Sequence, residues 1–406
     1  VPSATYRSLL RTPGAAAFFL AGVFGRVGLA MTGLGLVWLV HARTGSYADA
    51  GLATGCFAVA DAVGGPLVAR LVDRFGQVRA LPCLLLAHAG SVALLLAAPG
   101  GGPLTLVAAT LVGTTLPQLS ALSGARWAAL LRGTPDEPAL PRAFALEALA
   151  NSVSFLAGPA LVSTVGAAGH PELGTLLAAG LVVGGGTLFA LQRRTAPPVA
   201  GHAERRHAGR ALLRADFVRL VAITLALGVY FGAMQVSIAA YAVDRNAAAT
   251  APILYALSNC TSLVGGWVYG ARRWGASPER QRAFVAAGLV LVCLPLTVLD
   301  APAAVGTALA LTGFAVPPLL VLSSVLTEAA VPRAVLTQAF TWLNSSSAAG
   351  VAGAAAIAGR AVDAAGAHAG FAVAVAAALA MAGLSAAGRR RDKAAVRGVA
   401  QGSDAL

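Results

Sequence analysis

Apolar residues in this chain fall in long unbroken runs, without the alternation of a half-buried strand or the one-sided stripe of a surface helix. A run of about 20 apolar residues, wound as an α-helix, matches the ~30 Å hydrocarbon thickness of a bilayer. Twelve such spans are predicted, at 15–41, 47–70, 80–98, 103–125, 143–167, 172–191, 217–242, 250–271, 283–299, 303–327, 334–359 and 369–387. Several linkers are terse, such as AAPGGGP at 97–103 and VLDAPA at 298–303. The stretch Gly64 to Arg79, GGPLVARLVDRFGQVR, joins the second and third spans through a tight charged turn, so these two helices lie antiparallel and side by side. The longest break, Gln192 to Arg214, is rich in Arg, His, Ala and Pro and divides the chain into two halves. The expected fold is an all-α polytopic membrane protein with 12 transmembrane helices in two pseudo-symmetric six-helix bundles. Its parts are residues 1–191, a linker at 192–214, residues 215–388 and a basic tail at 389–406.

Charge then orients these spans. Only 11% of the 406 residues are charged, against roughly a quarter in a soluble domain, and the mean hydropathy is +0.76. In a soluble domain a net charge of +13 would point to nucleic acid. Here 25 of the 29 Lys and Arg lie in alternate loops and at the termini, while the other loops carry Arg43, Arg245 and Arg360, and Arg26 falls inside the first span. That bias places both termini in the cytoplasm of a cell whose inner membrane holds the protein, and it accounts for the charge with no nucleic-acid partner. No cleavable signal pattern is present, and Arg7 and Arg11 lead straight into a first span expected to be retained. Cys56, Cys83, Cys260 and Cys293 all sit within apolar runs without ligand spacing, so neither a metal nor a disulfide is implied. With no GxxxxGK[ST] loop and no nucleophile–base pair, ATP drive, enzymatic catalysis and a cofactor are not expected.

The halves echo one another. Gly64-Gly65-Pro66-Leu67-Val68-Ala69-Arg70 has a counterpart in Gly265-Gly266-Trp267-Val268-Tyr269-Gly270-Ala271-Arg272, and Pro141-Arg142-Ala143 in Pro332-Arg333-Ala334. Repeated bundles around a cavity are a transporter plan, because rocking one against the other exposes the cavity to each side in turn. The stretch Ala69 to Arg79, ARLVDRFGQVR, resembles the loop G-x-L-x-D-R-x-G-R-R between helices 2 and 3 of the major facilitator superfamily. Ala69 stands for the leading Gly, Gln77 and Val78 stand for the two basic residues, and Arg79 follows one position later. Ala157-Gly158-Pro159-Ala160 resembles the Gly-Pro signature of the family's drug–proton antiporter-like branch. The resemblance implies a cytoplasmic gate in which Asp73, with Arg74 and Arg79, meets the start of the eleventh helix. It also implies a hinge at Gly158 and Pro159. The Arg that many drug–proton antiporters carry in helix 4 is absent from Thr110-Leu111-Val112-Gly113-Thr114-Thr115-Leu116-Pro117-Gln118.

Ionisable residues deep in a span are costly and mark functional sites by default. Arg26 and Asp61 lie at similar depths in the first two spans, so a salt bridge between them is expected. Two readings stand: a permanent structural pair, or a proton-carrying Asp61 whose affinity is set by burial and by a movable Arg26. Glu147, one turn into the fifth span, belongs either to the gate, with Arg142 or Arg70, or to a capping role. His41, His170 and His368 fall near outer ends, and His88 lies in a helix that the resemblance puts at the bundle periphery, so no histidine relay is expected. Candidate cavity residues are Arg26, Asn151, Phe155, Tyr230, Gln235, Asn259, Phe314, Trp342 and Asn344. Apolar walls with a few polar groups suit amphipathic solutes. The expected activity is proton-coupled efflux of a small amphipathic organic solute by a monomer in contact with membrane lipids and protons. An uncoupled facilitator, a proton-coupled importer of a small metabolite and a non-transporting receptor or scaffold are the alternatives.

Overall fold

The computed structural model describes the backbone of residues 6–245, 250–272 and 274–403, and their side chains apart from 202, 203, 205, 206, 252, 355 and 388–403. The basic side chains expected at 389–406 lie outside the described residues. Secondary structure among the described residues is helical throughout. The helices are α1 (Tyr6–Arg11), α2 (Ala15–Thr44), α3 (Tyr47–Phe75), α4 (Gln77–Ala97), α5 (Pro103–Thr114), α6 (Leu119–Leu131), α7 (Leu140–Ala167), α8 (Pro171–Leu191), α9 (His202–Gly209) and α10 (Ala215–Asp244). They continue as α11 (Thr250–Ala271), α12 (Pro278–Cys293), α13 (Pro302–Ala330), α14 (Leu336–Ala365) and α15 (Ala367–Ser403). Among the described residues, eleven stretches are long and apolar enough to cross a membrane. The eighth predicted span falls on α11, a 22-residue helix outside that set. Large apolar side chains stand exposed on these helices, among them Leu86, Phe284 and Leu291, each more than 70% accessible. Lipid is the solvent such faces require, so this is a multi-pass membrane protein.

Local chemistry sets the helix ends. Ser46 caps α3 by accepting the Asp49 amide at 3.1 Å. Pro103, Pro171 and Pro278 open α5, α8 and α12, where the first-turn amide has no intrahelical partner to lose. Gly76 turns α3 into α4 with φ 83°, a conformation that favours glycine, and a Cβ there would also meet the Val199 side chain at 2.7 Å. Arg43 closes α4, donating to the carbonyls of Ala98 at 2.8 Å and Leu96 at 3.0 Å. A cation suits the negative end of the helix dipole.

The predicted fourth span is not one helix. It is α5 and α6, separated by Thr115-Leu116-Pro117-Gln118 near the middle of a 29-residue stretch. Pro117 has no amide to donate and disfavours helical geometry at the residue before it. In its place the Leu116 amide reaches Gly113 and the Thr115 amide reaches Leu111.

The chain divides into two compact units: residues 1–212 with 331–345, and residues 213–330 with 346–406. In the first, α2 packs along α8 and α7, α3 against α5, and α4 against α8. A Cβ on Gly185 would strike the Gly25 backbone, so this pair of glycines permits the close α2–α8 crossing. Trp127, Phe18 and Phe189 fill its interior. In the second unit α10 packs along α15, α11 against α13, and α12 against both α13 and α15. Gly228 and Gly350 meet the carbonyls of Ser347 and Leu225, where a side chain would collide. Three pairings correspond in chain order: α2–α8, α3–α5 and α4–α8 in the first unit, and α10–α15, α11–α13 and α12–α15 in the second.

Candidate functional site

Arg26 lies inside the first unit, only 3% exposed. Its Nη1 donates to Glu147 Oε2 at 2.6 Å and to Asn151 Oδ1 at 3.2 Å, and its Nε donates to the Gly22 carbonyl at 3.1 Å. Glu147 Oε1 accepts from Ser123 Oγ at 2.6 Å and Trp127 Nε1 at 2.7 Å. Ser120 Oγ donates to Asn151 Oδ1 at 3.0 Å. Glu147 and Asn151 are one turn apart on α7, and Ser120, Ser123 and Trp127 recur at helical spacing on α6, so each helix offers one polar edge to the cluster. A buried carboxylate with one cation and two further donors has its charge and lone pairs met.

This arrangement corrects three expectations. Arg26 pairs with Glu147 and not with Asp61, because its position on α2 turns it toward α6 and α7 while α3 lies on another side. Glu147 joins this interior cluster and not a gate with Arg142 or Arg70. Arg26, enclosed and engaged, is no part of a cavity wall.

Asp61 has a different neighbour. Its Oδ1 accepts from Gln118 Nε2 at 2.8 Å, the residue that precedes α6 at the helix break. No basic side chain pairs with it among the described residues. On the far side of the break, Thr115 Oγ1 lies 3.4 Å from His88 Nδ1. His88 is fully buried there, on the inward side of a helix whose Leu86 is 75% exposed. Gln118 was passed over in sequence, although a Pro-Gln step inside an apolar run signals both a break and a polar side chain to satisfy.

At the α3–α4 turn, Asp73 Oδ2 accepts the Gln338 amide at 3.0 Å in the first turn of α14. The exposed amides of a helix N-terminus favour a carboxylate. Arg74 lies exposed with its guanidinium 5.1 Å from the Phe75 ring centre, and Arg79 is also exposed. Gln77, a departure from the family's basic residue, is 3% exposed and accepts from Arg126 Nε at 2.8 Å. Arg126 also donates to the Gln192 carbonyl and to Thr195 Oγ1, and it stacks 3.8 Å from the Phe189 ring centre. A second basic side chain at position 77 would face this buried guanidinium, and glutamine removes the repulsion. Nothing in the sequence pattern marked Arg126 as the tie between α4, α6 and the linker.

Of the proposed cavity residues in the first unit, Phe155 is 69% exposed, Trp342 and Asn344 are exposed, and Asn151 is partly covered. In the second unit Gln235, Asn259 and Phe314 are exposed. Tyr230 is not: it is 3% exposed in the core of that unit, its ring 5.7 Å from that of Phe231. On a helix apolar all round, composition does not show which face is inward. A groove of about 670 Å³ runs along α3 beside α5, lined by Leu52, Cys56, Val59, Val63, Thr110 and Thr114 among others, and Ala60 in its wall is the neighbour of Asp61. α7 continues unbroken through Gly158 and Pro159, and Gly158 sits so close to α2 that a Cβ would lie 2.8 Å from that of Ala30.

Comparison with known proteins places this architecture. No curated protein matches the sequence. Among solved structures, the chain is similar to the human organic anion transporter MFSD10 (TETRAN), at 16% identity and TM-score 0.70, covering 91% of this chain and 98% of that one. It is also similar to a bacterial homologue of the iron transporter ferroportin in an outward-facing state, at 11% identity and TM-score 0.74, covering 92% and 98%. The transporter FucP in its outward conformation aligns at 15% identity and TM-score 0.68, covering 92% and 98%. These likenesses show the fold that the three transporters share. The profile of the Major Facilitator Superfamily matches residues 18–316, most of the chain, and the protein belongs to that family.

Proposed function

We infer that the protein is a proton-coupled exporter of a small amphipathic organic solute, of the drug–proton antiporter-like kind, working by alternating access in the cytoplasmic membrane. Twelve spans in two six-helix bundles, joined by the 192–214 linker and with both termini in the cytoplasm, form the scaffold of this reading. It acts as a monomer. The observation that carries it is the contrast between two intramembrane carboxylates. Glu147 is neutralised by Arg26 and fully hydrogen-bonded, whereas Asp61 has a neutral amide as its partner. A carboxylate in the membrane without a counter-charge is the one that gains from binding a proton. The same helix presents an apolar groove suited to the hydrophobic part of a solute, with Ala60, the residue before Asp61, in its lining. Asp73 on the α14 N-terminus, flanked by Arg74 and Arg79, acts as the cytoplasmic gate. Gly158 and Pro159 act as the hinge, and the exposed Phe155, Trp342, Asn344, Gln235, Asn259 and Phe314 contact the solute.

The test is accumulation of a panel of amphipathic toxic compounds in cells expressing the protein, with and without a protonophore, beside Asp61→Asn. Lowered accumulation that both treatments abolish is the expected result. Flux that survives both indicates an uncoupled facilitator, inward accumulation driven by the proton gradient indicates an importer, and binding without flux indicates a receptor.

A further inference from the structure

We propose that Gln118 is a positioning residue that couples the protonation state of Asp61 to the geometry of the α5–α6 break, and through α6 to the Glu147 cluster. The inference rests on the reading of Asp61 as the proton carrier.

Gln118 occupies the joint itself. Its backbone precedes α6, with φ −80° and ψ 61°, and its carbonyl accepts the Leu122 amide at 3.0 Å. Its side chain crosses to Asp61 at 2.8 Å. The approach is close by construction: a Cβ on Gly65 would lie 3.2 Å from Gln118 Nε2, and one on Gly64 would lie 3.2 Å from Thr114 Cα. Two consecutive glycines on α3 thus leave room for the break and the amide. Behind the break, Thr115 Oγ1 meets Ser91 Oγ and His88 Nδ1, both at 3.4 Å, so the other edge is braced against α4.

An amide donating to an ionised carboxylate makes a charge-assisted bond, roughly twice as strong as a neutral one. Proton binding at Asp61 removes that charge and weakens the hold on Gln118. With Pro117 already costing the backbone a bond, the side chain is what tethers this end of α6 to α3. α6 carries Ser120, Ser123 and Trp127, which hold Asn151 and Glu147 on α7. A shift at Gln118 is therefore passed to the polar cluster around Glu147.

Other ionisable groups on the elements around Asp61 are engaged elsewhere or exposed. On α2, Arg26 is bound to Glu147, His41 stacks on Tyr47 at 3.8 Å and Arg43 caps α4. On α4, His88 faces Thr115, Cys83 is exposed and Arg79 is exposed. On α3 itself, Asp73 accepts from Gln338, Cys56 lines the groove, and Asp49 lies at the helix start beside Ser46. The 3-10 turn Arg333–Val335 brings Arg333, which donates to the Arg132 carbonyl. α5 and residues 336–345 carry no ionisable side chain.

Hydrogen–deuterium exchange of the full chain in lipid nanodiscs, followed over peptides covering 113–122, tests the coupling. After correction for the intrinsic pH dependence of exchange, wild type should show a step, with faster exchange on the acid side. The near-isosteric Gln118→Met should raise exchange and lose the step, and Asp61→Asn should give the same flat profile. A step that persists in either variant, or no step in wild type, overturns the proposal. Proton-driven export measured on the same Asp61→Asn protein separates the two ideas. Export lost in Asp61→Asn, with no exchange step in wild type, leaves the carrier reading standing and ends the Gln118 coupling. A wild-type step that both variants abolish, with export untouched by Asp61→Asn, ends the carrier reading and leaves the joint.

Discussion

Arg26 and Glu147 show how a membrane interior tolerates full charges: at 2.6 Å, with both groups buried, each supplies what the other lost in leaving water. Removing one partner strands the other, so Glu147→Ala should destabilise the protein by about 3–5 kcal/mol. Replacing both, as Arg26→Met with Glu147→Met, should cost much less, since no charge is then orphaned. Thermal unfolding in detergent, with the double-mutant cycle completed, checks this. A double variant as unstable as the single one would show that the cluster's neutral hydrogen bonds, and not its charges, dominate. The depth of Arg26, Asp61 and Glu147 was legible in sequence from their places along the spans. Their pairing was not, because depth fixes level along the membrane normal while the partner depends on how each helix is rotated.

Among the elements, the broken α5–α6 span and the α3–α4 turn are the informative ones. Pro117→Ala restores the amide that could bond Gly113 and relaxes the constraint on Leu116. The expected outcome is slower hydrogen exchange at 113–119 together with weakened export, since a continuous helix would pull Gln118 from Asp61. Unchanged exchange would mean that packing against α3, where Gly113 lies against the Phe57 carbonyl, holds the break open by itself. At the turn, Gly76→Ala meets two obstacles, a positive φ and the Val199 side chain, and should cost about 1–3 kcal/mol. Melting temperatures of Gly76→Ala with and without Val199→Ala divide the two: partial recovery identifies the steric share. Sequence reading found the Gly76 turn through its charged neighbours, yet its contact with the linker required coordinates, because Val199 lies more than a hundred residues away.

For the whole molecule, the predictions concern orientation and the latch at Asp73. In a cysteine-free background, single cysteines at the exposed Ala301 and at Gly201 should label from opposite sides of sealed cells, the first from outside. Labelling of both from one side would overturn the assigned topology. Asp73→Asn removes the charge that the α14 amides favour, worth a few tenths to about 1 kcal/mol, and should shift the protein toward states in which residues 336–338 are freer. A cysteine at Gln338 should then react faster with a membrane-permeant reagent. An unaltered rate would reduce Asp73 to a terminator of α3.

Sequence alone determined that this chain is a bundle of membrane helices, roughly where each begins and ends, and to which family its second turn belongs. These are one-dimensional properties: run length against bilayer thickness, proline and glycine at ends, and charge by loop. The tertiary structure decided which side chains meet. It gave Arg26 to Glu147 and Gln118 to Asp61, put Tyr230 in a core and bound Gln77 to Arg126. Helices apolar on every face carry little periodic signal of their rotation, so those partnerships are set by close packing at glycines such as Gly25 and Gly185, and only the folded chain reveals them.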